Sequence, residues 1–310
     1  MTMPIHIGAL LPTHAVPPGG EIVDVRRSAQ HAEQIGLDSV WAGDHLTTGF
    51  PLLESTVGLT AAAAVTDRIM IGYSVMLLAL RHPAWAAKQI ASLQYVSGNR
   101  LLLGVGVGGV STPNEWQAAG VASRGRARRT DLILTALPGL LSGQPTALAT
   151  EPDEPVVTLS PAVPMPPVWI GGTSDAALVR TVTHGHGWLA AMLTPNDLAH
   201  RADLLTTLAG QRDEPRPQIG TMIFATLTER DSKTAAASVA SYLTGAYGLD
   251  PAHAEAVAIG GSPEQVAERL AAYLAAGVSK LVIVPFGPDV LTQYDLIAQA
   301  RSLLLGRQRT

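Results

Sequence analysis

Two acid–base groups stand side by side at Asp44 and His45, at the end of "SVWAGDHL" (39–46), where four mostly apolar residues run into a glycine. A neutral imidazole near pH 7 both gives and takes protons, so His45 reads as a general acid/base that Asp44 orients or makes more basic. The plainer alternative is a loop histidine hydrogen-bonded to backbone. Two glycine-rich stretches suit other tasks. In "GGTSDAA" (171–177) the backbone turns at Gly171 and Gly172, and Thr173 or Ser174 stands where a helix cap belongs. The N–H groups of such a helix start suit a phosphate, or are simply capped. "GVGVGG" (104–109) matches a dinucleotide fingerprint only loosely, because its third glycine is misplaced and no acid follows at the required distance. It reads more plainly as a tight strand exit whose backbone approaches a ligand.

Other polar residues carry less. His184 and His186 ("THGHGW") have the look of a metal pair, but they precede a strand and so fall on the end of the fold opposite the working face; no metal is expected there. His6 and His14 have no partners at ligand spacing. The basic run "RGRARR" (124–129) opens a helix and reads as a solvated face or an anion-binding patch.

These residues need elements to hold them. Eight short apolar runs, at 5–11, 39–42, 69–77, 101–107, 168–171, 187–192, 219–227 and 281–286, alternate with helix-period segments. The runs are apolar nearly throughout, as befits parallel strands covered on both faces. The seventh helix is the best signalled: Ser262 caps it, Pro263 opens it, Gln265 stands three residues after the cap, and Gly277 ends it. Eight strands with eight helices predict a (β/α)8 TIM barrel as one domain over 1–310, with an open doubly wound sheet as the alternative. Two stretches interrupt the alternation. Residues 142–167, rich in Pro, Ser and Thr, read as a loop, and 228–261 insert a helix over 233–246; both fall where a barrel carries loops over its catalytic face. The five tryptophans, at 41, 85, 116, 169 and 188, are expected in the core.

Composition sets outer bounds. The 310 residues carry a net charge of -4, which favours neither nucleic acid nor an anionic membrane. No cysteine is present, which removes disulfides, thiolate catalysis and thiolate-held metals together. No apolar run reaches the roughly 18 residues of a membrane span, and the start has no basic region or long apolar stretch; a cytoplasmic location is expected.

Beyond these readings, the chain resembles the bacterial luciferase-like flavin and deazaflavin oxidoreductases over nearly its whole length. The matching pieces are "AEQIGLDSVWAGDH" (32–45), "LRHPAWAAKQIASLQYVSGNRLLLGVGVG" (80–108), "EWQAAGV" through "RTDLIL" (115–134), "PPVWIGGTSDAALVRTVTHGHGWL" (166–189) and "GSPEQVAERLAAYLAAGVSKLVIVPFGPD" (261–289). The resemblance implies a barrel that binds FMN or the deazaflavin coenzyme F420 at its strand tips. It places Ser74 and Val75 on either side of a cis non-prolyl peptide against the ring, with His45 facing the reacting ring and Asp44 beside it. Gly106, Gly108 and Asn114 would line the ring and ribityl chain; Gly171, Gly172, Thr173 and Ser174 would hold the phosphate end. The "DH" pair is the form associated with F420-dependent members, in line with an arginine- and alanine-rich, lysine-poor composition. The resemblance implies a homodimer packed through barrel helices. The expected function is F420-dependent hydride transfer to or from a small organic substrate. The alternatives are an FMN-dependent monooxygenase served by a separate flavin reductase, and a cofactor-free barrel acting as a binding or regulatory subunit. The last is motivated by 142–167, where the glycine- and aromatic-bearing hairpin common among relatives is shortened and lacks aromatics.

Overall fold

Eight strands carry the fold: β1 (His6–Leu10), β2 (Ser39–Ala42), β3 (Met70–Tyr73), β4 (Leu101–Gly106), β5 (Val168–Gly171), β6 (Gly187–Ala191), β7 (Gln218–Leu227) and β8 (Lys280–Pro285). Each is followed by a helix: α1 (Val25–Gln34), α2 (Ser55–Ala63), α3 (Pro83–Val96), α4 (Arg126–Leu141), α5 (Asp175–His184), α6 (Pro195–Gly210), α7 (Pro263–Ala275) and α8 (Val290–Arg307). This computed structural model describes residues 5–15, 22–48, 50–109, 113–229, 232–287 and 289–307. Every strand pairs in parallel with its neighbour, and β8 pairs with β1 at His6–Lys280, so the sheet closes on itself. The molecule is a (β/α)8 barrel.

The continuous apolar runs follow from burial on two sides. Outward-facing Ile7, Val40, Ile71, Leu103 and Ile170 pack beneath the helices. Inward-facing Leu10, Trp41, Leu102, Trp169, Leu189 and Val282 fill the barrel. Two indole rings are large plugs, and the facing positions are glycines because nothing bigger fits. A methyl group on Gly72 would stand 2.3 Å from Trp41, and one on Gly187 would stand 2.6 Å from Trp169. At the amino-terminal end Lys280 lies over the Trp169 ring, 5.1 Å from its centroid. Trp41, Trp116, Trp169 and Trp188 are buried as expected, whereas Trp85 is 69% exposed, on the outer face of α3.

The stretches that broke the alternation hold structure of their own. Residues 142–167 contain a two-residue hairpin, Thr146–Ala147 against Val156–Val157, where a loop was expected. The insertion after β7 forms helices Ser232–Tyr247 and Pro251–Val257, then a short strand, Ile259–Gly261, that extends the sheet beside the end of β7. His253 Nε2 donates to the Met192 carbonyl at 2.8 Å and ties this insertion to the exit of β6.

Lys280 offers a test of the interior. Burial pushes its ammonium down from 10.5 to about 8, against the opposing pull of Asp38. Between those two values the unfolded chain holds the proton and the folded chain does not, so this residue makes stability rise with pH there. We therefore expect the wild-type melting temperature to gain on that of Lys280→Met as pH goes from 8 to 10. Parallel melting curves check this; a constant offset would refute it.

Candidate active site

The backbone leaves β2 through Gly43 and presents two consecutive side chains to opposite sides, as an extended chain must. Asp44 turns inward and is buried. Its carboxylate accepts from the Ser55 hydroxyl at 2.7 Å, the Leu77 N–H at 2.8 Å, and both Arg81 Nη atoms at 2.7 Å. Burial alone would raise its carboxyl, but the Arg81 guanidinium and these two further donors outweigh it and hold Asp44 below the usual carboxylate value. One carboxylate thus joins the exit of β2, the start of α2 and the chain following β3.

His45 turns the other way, partly exposed, and Asp44 is not its partner. The expectation that Asp44 steers this imidazole is corrected by a residue seventy positions on. Glu115, fully buried, lies 3.1 and 3.2 Å from His45 Nδ1 through its two oxygens and accepts the Leu46 N–H at 2.6 Å. It comes from the short helix Pro113–Ala118, which also carries Asn114, exposed on its surface. A carboxylate behind one ring nitrogen fixes the imidazole's orientation and leaves Nε2 as the nitrogen that can exchange a proton. His14 also belongs here. A bridge to Leu52 sets it beside the loop that follows His45, and burial together with the nearby His45 charge pushes its pKa down to about 4. Sequence spacing could not suggest it, since its neighbours are gathered only by folding.

The Ser74–Val75 peptide is cis. Val75 then lies against two glycines from other strands: an added methyl would stand 2.4 Å from it at Gly106 and 3.0 Å at Gly171. The glycines of β4 and β5 thus make room for Val75, which covers them and stays partly exposed itself. The Ser74 hydroxyl lies 3.0 Å from Met222 Sδ of β7. Gly108 has a φ of 73°, its carbonyl accepts from Arg126 Nε at 3.2 Å, and Trp116 packs where a side chain would go. The basic run at 124–129 is in this respect structural: Arg126 holds the β4 exit, and Arg129 pairs with Glu151 at 3.0 Å.

At the β5 exit Gly172 adopts a φ of 111° and its carbonyl accepts from Trp188 Nε1 at 2.7 Å. Ser174 caps α5 by accepting from Ala177 N–H, and Gly172, Thr173 and Ser174 are exposed. Arg201 donates to the Thr173 carbonyl and pairs with Asp175. The structure thus brings Ser74, Val75, Gly106 and Gly171 into contact, and sets Gly108 and the His45–Glu115 pair on the same carboxyl-terminal rim. Asn114 is placed on the rim only by its neighbour Glu115. His186 faces away at the other end of the barrel, where its Nδ1 accepts the Val168 N–H.

A closed barrel with a partly exposed imidazole and an exposed helix start at its strand tips is a (β/α)8 protein, the fold that carries its sites at this end. The sequence matches the family described as luciferase-like monooxygenase over residues 3–280, and the chain belongs to that family. It is similar to an F420-dependent secondary alcohol dehydrogenase, solved with an F420–acetone adduct, at TM-score 0.83 and 16% identity, covering 97% of this chain and 99% of that one. It is similar to a type II Baeyer–Villiger monooxygenase of Pseudomonas putida, solved with FMN, at TM-score 0.75 and 16% identity, covering 96% and 97%. An F420-dependent hydroxymycolic acid dehydrogenase of Mycobacterium tuberculosis is 31% identical over 183 residues, 54% of this chain and 49% of that one. The chain spans about half the length of the curated relatives it matches.

The Asp44 joint is testable. Arg81→Met should cost about 3 kcal/mol or more, because it strands a buried carboxylate, and Asp44→Leu in the same chain should recover much of the loss. Urea unfolding of both variants measures it; equal stability of the single and double variants would refute the pairing.

Proposed function

We propose that this protein is an F420-dependent oxidoreductase acting on a small organic substrate, with His45 as its proton-transfer residue. The observation that carries the reading is the His45–Glu115 pair, set on the rim where partly exposed Val75 packs over Gly106 and Gly171. The residues fit such a cofactor. Val75, partly exposed over Gly106 and Gly171, offers an apolar face for a ring, and the exposed turn at Gly172, Thr173 and Ser174 before α5 suits its phosphate. When bound, F420 would supply a hydride donor or acceptor at C5. The chain would do the rest. Glu115 holds Nδ1 of His45, so the proton taken from or given to the substrate passes through Nε2. The barrel mouth orients the reactants and limits water. The F420-dependent relatives support this reading, and the FMN-bound monooxygenase keeps FMN as the alternative.

Purified protein should quench F420 fluorescence with micromolar affinity and leave FMN fluorescence unchanged; the reverse result overturns the cofactor assignment, and no effect on either overturns the redox reading. In the F420 assay His45→Ala should lower turnover roughly a hundredfold. Glu115→Gln should lower it less and change its pH profile, while both variants keep the wild-type circular dichroism.

The assembly belongs to the same reading. Helix α2 contains no charged residue and α3 only Lys88, yet Val57, Trp85, Tyr95 and Val96 on these two helices are exposed. Large apolar side chains exposed on helices with so little charge favour burial, and a second copy of the chain would provide it. A homodimer through α2 and α3 should dissociate in Trp85→Glu/Val96→Glu, read by light scattering after size exclusion; an unchanged mass would refute it.

A further inference from the structure

The sequence contains three phenylalanines and six tyrosines, and all three phenylalanines meet two of the tyrosines at one place. Phe50 follows His45 by five residues on the same loop, Phe224 comes from β7, and Phe286 follows β8. Tyr242 and Tyr247 come from the inserted helix Ser232–Tyr247. Tyr242 is the hub: its ring centroid lies 4.9 Å from Phe286, 6.0 Å from Tyr247 and 6.4 Å from Phe50. Phe224 stands 5.6 Å from Tyr247 and 6.1 Å from Phe286.

The group has two layers. Phe224 and Phe286 are buried and form its base, while Phe50 and Tyr242 are half-buried and Tyr247 is exposed. Tyr242 and Phe286 belong to the apolar cluster that fills the barrel, together with Met222, Met192 and Val75, and Met222 in turn touches the Ser74 hydroxyl. Every member is uncharged. Arg81, which follows β3 at this end of the barrel, is committed to Asp44 and Glu54. A wall of ring faces and thioethers offers stacking and dispersion and carries no positive charge; its two tyrosine hydroxyls, bonded to each other, fall far short of an anion's hydration shell.

We propose that this aromatic wall is the substrate subsite, and that it takes a neutral molecule with a ring-sized apolar body and not a phosphorylated or carboxylated one. The proposal rests on the oxidoreductase reading for what happens to that molecule, and on the aromatic wall alone for which molecule binds. The insertion that supplies Tyr242 and Tyr247 then sets specificity, while the cofactor surface belongs to β3, β4 and β5.

The test is isothermal titration of the full chain, with and without oxidised F420, using acetophenone as the neutral probe and phenyl phosphate as its anionic counterpart. Acetophenone should bind in a saturable manner and phenyl phosphate should not. Phe50→Ala and Tyr242→Ala should each weaken acetophenone binding about tenfold. Phe50→Leu, which keeps an apolar side chain and removes the ring, should weaken it several-fold and guards against a folding defect. F420 quenching should be the same in all three variants. Comparable binding of phenyl phosphate, or wild-type acetophenone affinity in the variants, overturns the proposal. Acetophenone binding that behaves as expected in a protein indifferent to F420 supports the subsite and overturns only the redox reading.

Discussion

A carboxylate taken out of water has to replace its hydration with donors from the chain, and Asp44 finds them in two further segments, at Ser55 and at Leu77 with Arg81. That requirement organises one side of the barrel mouth. The bidentate Arg81 contact and the Leu77 N–H hold the segment that follows the cis peptide, while the Ser55 hydroxyl holds the start of α2. With Asp44 anchored inward, the next residue is forced outward, and His45 reaches the rim with its backbone already fixed. The His45 imidazole is thus positioned by two carboxylates, one that pins its backbone and one that pins its ring.

The interior of the barrel shows the same economy of space. Two tryptophans fill the lower barrel because glycines on neighbouring strands make room for them, and Lys280 closes the amino-terminal end over one of the indoles. At the carboxyl end the relation recurs. There the glycines of β4 and β5 make room for Val75, whose side chain covers them and stays partly exposed.

Much of this was legible in the chain. Continuous apolar runs separated by helix-period segments define parallel strands covered on both faces, because such strands have no polar side to show; all eight were readable to within a few residues. The helix at 263–275 was readable at its start, since Ser262 and Gln265 close a reciprocal capping box that depends on local geometry alone. The short strand at 259–261 and the hairpin at 146–157 were not, because two or three residues carry no periodicity and take their form from the partner they pair with.

By itself, then, the sequence determined the strand and helix order, the barrel, and the candidate imidazole at a strand tip, all of which follow from local pattern and chain direction. Only the tertiary structure decided who touches whom. It gave His45 a partner in Glu115 rather than its neighbour Asp44, brought His14 beside the site, and gathered five aromatic rings from four separate segments into one wall. Hydrogen bonds and ring contacts act over a few ångströms of space, and no spacing along the chain records which distant residues closure of the barrel will bring that near.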